Sequence, residues 1–203
     1  MLEIKELRKQ DYKKAIAFAI KGMHFDWYID NPFLLHAYGR YFWYLELNRA
    51  TQIFAAYVNH EFAGVLLAEI KGEEKKHQNI LEKTYIKFVD VIQKSFLKEG
   101  ASIYEDTTKK QLAHYLNSHT PDGEILFLAA DPDCKVKGIG TALLYALQER
   151  EKGKTLYLYT DNACTYQFYE HRGFEKIDET DIVLEMPKGS VPLKCFLYSK
   201  TME

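Results

Sequence analysis

From residue 124 to residue 141 the chain reads Glu124-Ile-Leu-Phe-Leu-Ala-Ala-Asp-Pro-Asp-Cys-Lys-Val-Lys-Gly-Ile-Gly-Thr141. The pattern predicts an apolar strand with both faces covered, a short loop and the glycine-rich beginning of a helix. The first N–H groups of a helix have no partner within it, and the helix dipole favours negative charge there. Gly138 and Gly140 let a phosphate approach the backbone closely, and Lys135 and Lys137 add positive charge. The stretch therefore predicts a site for a phosphorylated ligand.

Two common phosphate-binding motifs compete for this stretch. A P-loop is excluded, because the chain contains no G-x-x-x-x-G-K-S/T pattern. A dinucleotide site of the Rossmann type is a closer rival, since Gly138-Ile-Gly140 forms half of a G-x-G-x-x-G pattern and Asp161 ends the next strand. Against it, Leu143 occupies the third glycine position, and residues 131–137 separate the strand from the first glycine. The Rossmann interpretation is therefore the weaker one.

Outward from this stretch, strand and helix patterns cover most of the chain. Alternating apolar residues predict strands, and apolar residues at helical spacing predict helices. The predicted order is strand 2–7, helices 9–22 and 34–48, strands 52–58 and 62–70, a helical stretch, strand 124–130, helix 137–152, strand 155–160, helix 162–172, and strands 174–186 and 191–199. This order predicts an α/β (α+β) fold with one mixed sheet.

A second motif follows one helix and one strand after the first. It reads Asn162-Ala-Cys-Thr-Tyr-Gln-Phe-Tyr-Glu-His-Arg-Gly-Phe174. Together the two motifs resemble those of the GCN5-related N-acetyltransferase (GNAT) superfamily, which read Gln/Arg-x-x-Gly-x-Gly/Ala and Asn-x6-Tyr-Glu-x-x-Gly-Phe. Lys135 replaces the usual Gln or Arg and keeps the positive charge. The resemblance implies a GNAT-like fold, a mixed and mostly antiparallel sheet flanked by helices, in a single acyl-CoA N-acyltransferase domain over residues 1–203.

The resemblance also implies a set of residues for acetyl-CoA, the co-substrate of this superfamily. Backbone groups of the first motif hold the pyrophosphate, which assigns Lys135, Val136, Lys137, Gly138, Ile139, Gly140 and Thr141. The preceding strand splays from the next one, so that backbone groups of Leu128 and Ala130 pair with the pantetheine arm. Asn162 hydrogen-bonds the same arm, although it serves equally well as the N-cap of the following helix. Tyr169 protonates the departing thiolate, and the alternative is a ring that packs the helix on the sheet.

Glu124 is the leading candidate for the general base. A free alkyl ammonium has a pKa near 10.4, so only about 10⁻³ to 10⁻⁴ of it is neutral at pH 7 and its deprotonation needs help. The strand begins Glu124-Ile-Leu-Phe127, and histone-acetylating members of the superfamily read Glu-Ile-x-Phe at the same distance from the glycines. The alternative is a surface carboxylate at the strand edge. Glu69, at the end of the third strand, is a second candidate.

The acceptor substrate is left open by the sequence. His24 to Tyr28 and Tyr38 to Tyr44 are rich in aromatic residues, in a region that walls the acceptor pocket of the superfamily. Such rings, with Asp26 and Asp30, can hold a cation, and an aromatic stripe in the core is the alternative. A small amine, an amino acid or antibiotic, a protein N-terminus and a lysine side chain all remain as acceptors.

The chain departs from the superfamily between its third and fourth strands, where a short turn is usual. Residues 71–123 form a helical insertion instead, with helices predicted over 73–98, ended by Gly100, and over 107–118. One face of the first helix is apolar and carries Leu81, Tyr85, Phe88, Ile92 and Phe96. The insertion either packs on the core or forms a substrate lid or dimer surface. The first interpretation is favoured, because an apolar helix face usually packs internally.

The composition excludes several classes of function. With 203 residues, 47% of them hydrophobic, and a formal net charge of −2, the chain has no global basic field that favours nucleic acid. No run reaches the roughly 18 apolar residues of a membrane helix, and the N-terminus lacks a signal-peptide core. Cys134, Cys164 and Cys195 show no disulfide pattern, and no His or Cys spacing indicates a metal site. We therefore expect a cytoplasmic protein without metal, nucleic acid or membrane partners.

Three functions remain in competition. The first is an acetyl-CoA-dependent N-acetyltransferase that acts on a primary amine by direct attack. The second is a noncatalytic acyl-CoA-binding or protein-interaction module on the same fold, for which the insertion offers a partner surface. The third is a nicotinamide-dependent oxidoreductase. A homodimer is implied by analogy with the superfamily alone.

Overall fold

The computed structural model describes residues 1–27, 29–96, 100–186 and 189–203. The bounds of its helices and strands, in chain order, are β1 (Leu2–Lys5), α1 (Tyr12–Gly22), α2 (Pro32–Arg49), β2 (Gln52–Val58), β3 (Glu61–Ile70), α3 (Ile80–Phe96), α4 (Gly100–Leu116), β4 (Gly123–Ala130), α5 (Ile139–Arg150), β5 (Thr155–Asp161), α6 (Gln167–Glu170), β6 (Glu175–Met186) and β7 (Gly189–Thr201). Tyr28, Lys98, Pro187 and Lys188 lie outside the described residues. None of the described helices is long and apolar enough to cross a lipid bilayer.

The seven strands form one sheet in the order β1-β2-β3-β4-β5-β7-β6. Neighbouring strands are antiparallel, except that β4 and β5 run parallel. α1 and α2 cover one face of the sheet, where Trp43 is buried with Leu67 and Phe127. α5 covers the other face and buries Leu143 and Leu66 there. This architecture confirms the expected α/β (α+β) class with a mixed, mostly antiparallel sheet.

β4 carries a bulge that bends it away from β5. Between Leu67 and Ala68 of β3 the register shifts by one residue of β4, Leu126, which has no partner. A bulge of this kind bends its strand and increases the local twist. β4 and β5 consequently pair through Gly123 and Glu124 of β4 and then part. The expected splay of these two strands is confirmed.

Both helices of the insertion begin where the sequence did not predict. α3 begins at Ile80, because the Asn79 side chain accepts hydrogen bonds from the N–H groups of Leu81 (2.9 Å) and Glu82 (3.3 Å) and caps the helix there. Gly100, expected to end the first helix, is the first residue of α4. α4 therefore starts well before the second predicted helix.

The two insertion helices pack on different parts of the molecule. α3 lies against α2, where the Tyr41 hydroxyl donates to Asp90 Oδ1 at 2.6 Å. α4 lies on β6 and β7, where the Tyr115 hydroxyl and Ser199 Oγ are 2.6 Å apart. The insertion thus flanks the sheet in two places: α3 on the side of α2, and α4 on the side of the hairpin formed by β6 and β7.

The outer face of α3 is exposed in the described part of the chain. Four large apolar side chains on it are exposed: Ile80 (82%), Leu81 (81%), Phe88 (63%) and Val91 (65%). The favoured expectation that the apolar face of this helix packs internally is therefore wrong for Leu81 and Phe88. Tyr85 does pack inward, and its hydroxyl donates to the carbonyl oxygen of Ala37 at 2.8 Å. The side chains of Ile92 and Phe96 lie outside the described part of the chain.

α6 is much shorter than the helix predicted over 162–172. Asp161 Oδ1 accepts hydrogen bonds from the N–H groups of Ala163 (2.9 Å) and Cys164 (3.1 Å), so the chain makes a side-chain-capped turn first. Helical residues follow only over Gln167–Glu170. Gly173 then adopts a φ of 74°, a conformation common just after a helix.

Candidate active site

A cavity of about 770 Å³ lies where β4 and β5 diverge. Its walls come from β4, from the loop and first turn of α5, from the end of β5 and from α6. The end of α1 and Tyr104 of α4 complete it. The cavity therefore joins the predicted phosphate site to the region that the sequence assigned to the acceptor.

The N-terminus of α5 has the backbone geometry of an anion site. Gly138 is its N-cap and adopts a φ of 83°, which a residue with a side chain reaches only with strain. At Gly140 a Cβ atom would lie 3.2 Å from the Phe168 ring, so a side chain there would require the ring to shift by a few tenths of an ångström. The N–H groups of the first turn lie at the positive end of the helix and have no partner within it.

Arg172 is fixed beside this turn. Its Nε donates to Thr141 Oγ1 at 3.2 Å, and its Nη1 donates to the carbonyl oxygen of Phe168 at 3.1 Å. Its Nη2 also donates to Thr141 Oγ1. The guanidinium carbon lies 3.9 Å from the centroid of the Phe168 ring, a cation–π distance. No single motif predicts this contact, because Thr141 and Arg172 come from separate segments of the chain.

Tyr169 lines the cavity from α6. Its ring lies edge-on to Phe168 and Phe174, with centroid distances of 5.2 and 5.5 Å. Burial raises the pKa of the Tyr169 hydroxyl above its usual value. The phenol therefore stays protonated at neutral pH, which is the state that a proton donor requires.

Glu124 lies at the closed end of the splay, where β4 and β5 still pair. Its Oε2 accepts hydrogen bonds from Arg49 Nη2 at 2.6 Å and from the Tyr157 hydroxyl at 3.3 Å. The next residue, Ile125, lines the cavity, whereas the lining does not include Glu124. The structure thus holds the candidate base in an ion pair beside the cavity rather than in its wall.

Arg49 ties three carboxylates from three elements together. Its guanidinium lies 3.1 Å from Glu46 of α2, 3.0 Å from Glu69 of β3 and 2.6 Å from Glu124 of β4. Burial raises the pKa of Glu46 to about 7 in spite of the arginine. Burial also acts on Glu69, but Lys75 and Arg49 hold the pKa of this carboxyl below its usual value. Both candidate bases that the sequence provides therefore share one arginine.

Comparison with protein families settles the membership of the chain. The sequence model described as "Acetyltransferase (GNAT) family" matches residues 19–174. The chain belongs to the GNAT acetyltransferase family. The match spans both motifs and confirms the resemblance that they carry. No protein of curated function matches the chain in sequence.

Solved acetyltransferase structures share the GNAT fold across nearly the whole chain. The ribosomal-protein-S18-alanine N-acetyltransferase of Escherichia coli is 14% identical, with a TM-score of 0.53 over 100% of this chain and 95% of its own. The PaiA N-acetyltransferase of Thermoplasma acidophilum, solved in complex with coenzyme A, is 16% identical, with a TM-score of 0.52 over 99% of each chain. An apo variant of agmatine N-acetyltransferase is 10% identical, with a TM-score of 0.58 over 98% of this chain and 99% of its own. At these identities the likeness shows the fold alone.

The remaining residues predicted for the GNAT co-substrate divide between the cavity wall and its surroundings. Those in the wall are Leu128, Ala130, Val136, Lys137 and Ile139. Lys135 lines a neighbouring pocket of about 370 Å³ instead. Asn162 is not in the wall, and its Oδ1 accepts a hydrogen bond from the N–H of Lys194 at 2.9 Å. Its alternative role as an N-cap is wrong, because Tyr166 holds that position in α6.

The end of the cavity formed by α1 and α4 includes His24, from the region that the sequence assigned to the acceptor. His24, with a φ of 52°, places its Nε2 3.3 Å from the carbonyl oxygen of Ala163 and so links the segments that follow α1 and β5. Tyr104 lines this end, which gives the insertion a part in the cavity that no motif predicted. Tyr38 instead packs on Phe25 in the core, with ring centroids 4.8 Å apart. For Tyr38 the alternative prediction, an aromatic stripe in the core, is therefore confirmed.

Proposed function

We propose that this GNAT protein transfers an acetyl group from acetyl-CoA to a primary amine. One observation carries the proposal: a single cavity contains the free edge of β4, the N-terminus of α5 and Tyr169. An acyl donor with a diphosphate, an amide-containing arm and a thioester needs these three features in one place. Structures with the same fold add support, since one was solved with coenzyme A and another is named for agmatine, an amine.

The residues of the cavity fit such a donor. No atom lies within 4 Å of the position of a Cβ at Gly138, so the backbone there is open to a phosphate. Lys137 adds a cation to the same wall. Beyond Glu124, the β4 edge that faces β5 has no strand partner among the described residues, so Leu128 and Ala130 can offer backbone groups to an extended arm. When bound, acetyl-CoA supplies the acetyl thioester.

Glu124 accepts the proton that the amine loses. Deprotonation of an alkyl ammonium at pH 7 costs about 4–5 kcal/mol, which a general base helps to recover. Because the Glu124 side chain does not line the cavity, we propose that a water molecule carries the proton to it. Arg49 and Tyr157 both engage Oε2, and Oε1 is the oxygen that we assign to this water.

Tyr169 donates a proton to the sulfur as the nitrogen–carbon bond forms and the carbon–sulfur bond breaks. The transfer is uphill, since a thiol has a pKa near 8.5 and a phenol near 10. Burial of Tyr169 widens the difference, so the proton moves only along a short hydrogen bond to the developing thiolate. The products are the amide and the free thiol, and solvent returns a proton to Tyr169.

A noncatalytic acyl-CoA-binding module is the second candidate. One observation favours it: Glu124 is bound into the Arg49 cluster and does not line the cavity. In that case the cavity binds acetyl-CoA, no amine is acetylated, and the insertion binds a partner protein.

Calorimetric titration with acetyl-CoA, followed by an assay of thiol release with a panel of amines, tests the proposal. NADH is the control ligand, and the panel contains a diamine, an amino acid, a lysine peptide and a peptide with a free N-terminus. Saturable acetyl-CoA binding with amine-dependent thiol release supports the transferase. Binding without release for any amine supports the noncatalytic module, and binding of NADH in place of acetyl-CoA refutes both.

Two further properties belong to this proposal. We propose that two copies associate through the outer face of α3, on the strength of its four exposed apolar side chains. We also propose that the protein acts in the cytoplasm, on the strength of its three unpaired cysteines, Cys134, Cys164 and Cys195.

A further inference from the structure

We propose that Arg172 binds the diphosphate of the acyl donor, together with the free N–H groups at the N-terminus of α5. The inference rests on the proposed function and deepens it. It assigns a ligand role to a position at which the second motif admits any residue, so the role belongs to this chain and not to the motif.

The sign of the charge is the first argument. The N-terminus of α5 is the positive end of a helix dipole, so an arginine beside it is unfavourable unless an anion lies there as well. Within the described residues, the hydrogen bonds of Arg172 go to Thr141 Oγ1 and to the carbonyl oxygen of Phe168, and no carboxylate pairs with it. Lys137 brings a second cation to the same cavity. Two cations at a positive helix end fit a dianionic ligand.

The rigid placement of the guanidinium is the second argument. A guanidinium has five N–H donors, and Thr141 and Phe168 engage one on Nε and one on each terminal nitrogen. One N–H on Nη1 and one on Nη2 are left, and this pair matches two oxygens of a phosphate in the forked geometry. The Phe168 ring lies 3.9 Å from the guanidinium and holds its plane.

Gly140 makes this placement possible. A Cβ at Gly140 would lie 3.2 Å from the Phe168 ring, so the glycine allows the ring to sit against the first turn of α5. The ring in turn carries the guanidinium. The second glycine of the first motif therefore has two effects: it opens the backbone to a phosphate, and it brings Arg172 to the same place.

A purely structural role is the rival explanation, in which Arg172 ties α6 to α5. That role predicts that Arg172→Met loses stability and that Arg172→Lys does not regain it, because lysine lacks the several N–H groups that donate to Thr141 and Phe168 at once. The phosphate role predicts that lysine restores part of the affinity, because it keeps the charge. The two explanations therefore differ in what Arg172→Lys does to ligand binding.

Calorimetric titration of the wild-type chain, Arg172→Met and Arg172→Lys with CoA and with dephospho-CoA tests the inference. Arg150→Met is the matched control, since it removes the same charge from the other end of α5, where Arg150 stacks 5.5 Å from the Phe54 ring. We expect Arg172→Met to raise the Kd of both ligands about 10- to 100-fold. We expect Arg172→Lys to regain part of the loss and Arg150→Met to bind like the wild type, with thermal unfolding showing that each variant is folded.

Three results overturn the inference. They are an unchanged Kd for Arg172→Met, a loss with CoA but not with dephospho-CoA, which places Arg172 at the 3′-phosphate, and a loss that lysine does not relieve. Failure of the proposed function is distinct from all three, because the wild-type chain then binds neither ligand.

Discussion

The two hydrogen-bond partners of Glu124 come from other elements, so the sequence of β4 alone does not predict them. Arg49 and Tyr157 hold one oxygen of its carboxylate, beside the cavity. We expect Glu124→Gln to lower kcat/KM about 10²- to 10⁴-fold, the range of a general base, and to leave acetyl-CoA affinity unchanged. Steady-state rates across the neutral pH range and calorimetry measure the two effects. Glu69→Gln, at the other candidate base on Arg49, is the control, and an intact rate and pH profile in Glu124→Gln would remove the role.

Tyr169 can be tested without disturbing its packing. Tyr169→Phe removes the hydroxyl and keeps the ring between Phe168 and Phe174. We expect kcat at saturating acetyl-CoA to fall, by roughly 10²-fold or more, while the Kd of acetyl-CoA stays the same. Tyr166 lies on the same segment but does not line the cavity, so Tyr166→Phe is the control. Equal kcat values in the two variants would contradict the assignment.

Glu46 makes stability depend on pH in a direction that can be stated. Its pKa in the folded state is about 7, against about 4.3 in an unfolded chain. The folded state therefore binds more protons between these values, and the contribution of Glu46 is fully present below about pH 4 and is lost as the pH rises through about 7. Glu46→Gln mimics the protonated carboxyl. We expect it to match the wild type near pH 4 and to be more stable by about 1–3 kcal/mol near pH 8.

Urea unfolding of the wild type and Glu46→Gln at these two pH values measures the difference. Comparing the two proteins cancels the opposite slope from carboxylates whose pKa is lowered, such as Glu69 beside Lys75 and Arg49. Parallel stability curves would show that Glu46 titrates normally.

The first turn of α5 combines a backbone requirement with a proposed role in binding acetyl-CoA, and the two can be separated. Gly138 and Gly153, at opposite ends of α5, have φ values of 83° and 84°, and a Cβ at either meets no atom within 4 Å. Alanine at either position should cost about 1–2 kcal/mol of stability, because both adopt the left-handed conformation. We expect Gly138→Ala alone to weaken acetyl-CoA binding. Thermal unfolding and calorimetry test this, and equal affinities in the two variants would show that the loop does not bind the phosphate.

The same elements show what a sequence can reveal. The bounds of β2 were predicted to the residue, and those of β4 and α5 to within two residues, because an apolar run and a leading glycine are local signals. α3 and α6 are shorter than predicted, because the Asn79 side chain caps α3 at its start and the Asp161 side chain caps a turn that precedes α6. Such competition between a side chain and the helix depends on geometry that apolar spacing does not contain.

The candidate site likewise contains residues that the sequence predicts and contacts that it does not. Tyr169 and the first turn of α5 belong to motifs, so the sequence shows them, and both lie at the cavity. The contacts of Arg49 with Glu46, Glu69 and Glu124 join three elements that the sheet brings together. The Glu46–Arg49 contact is an i,i+3 pair within α2, but no pattern within one element predicts the contacts of Arg49 with Glu69 and Glu124.

The insertion links the cavity to the outer surface of the protein. α4 contributes Tyr104 to the wall of the cavity, while α3 turns an apolar face outward from α2. Within one connection between β3 and β4, therefore, one helix lines the cavity and the other presents the apolar face through which we propose that two copies associate. A change to the outer face of α3 should leave the cavity intact.

Association through α3 can be tested with exposed residues that no described element covers. Leu81 and Phe88 are 81% and 63% exposed, and full burial of such side chains stabilises an interface by about 1.5–3 kcal/mol each. We expect the wild type to sediment as a dimer and the double variant Leu81→Glu with Phe88→Glu to sediment as a monomer. Tyr145→Glu, at a 60% exposed position of α5, is the matched control and should remain dimeric. A monomeric wild type, or a double variant that stays dimeric, would show that this face does not join two copies.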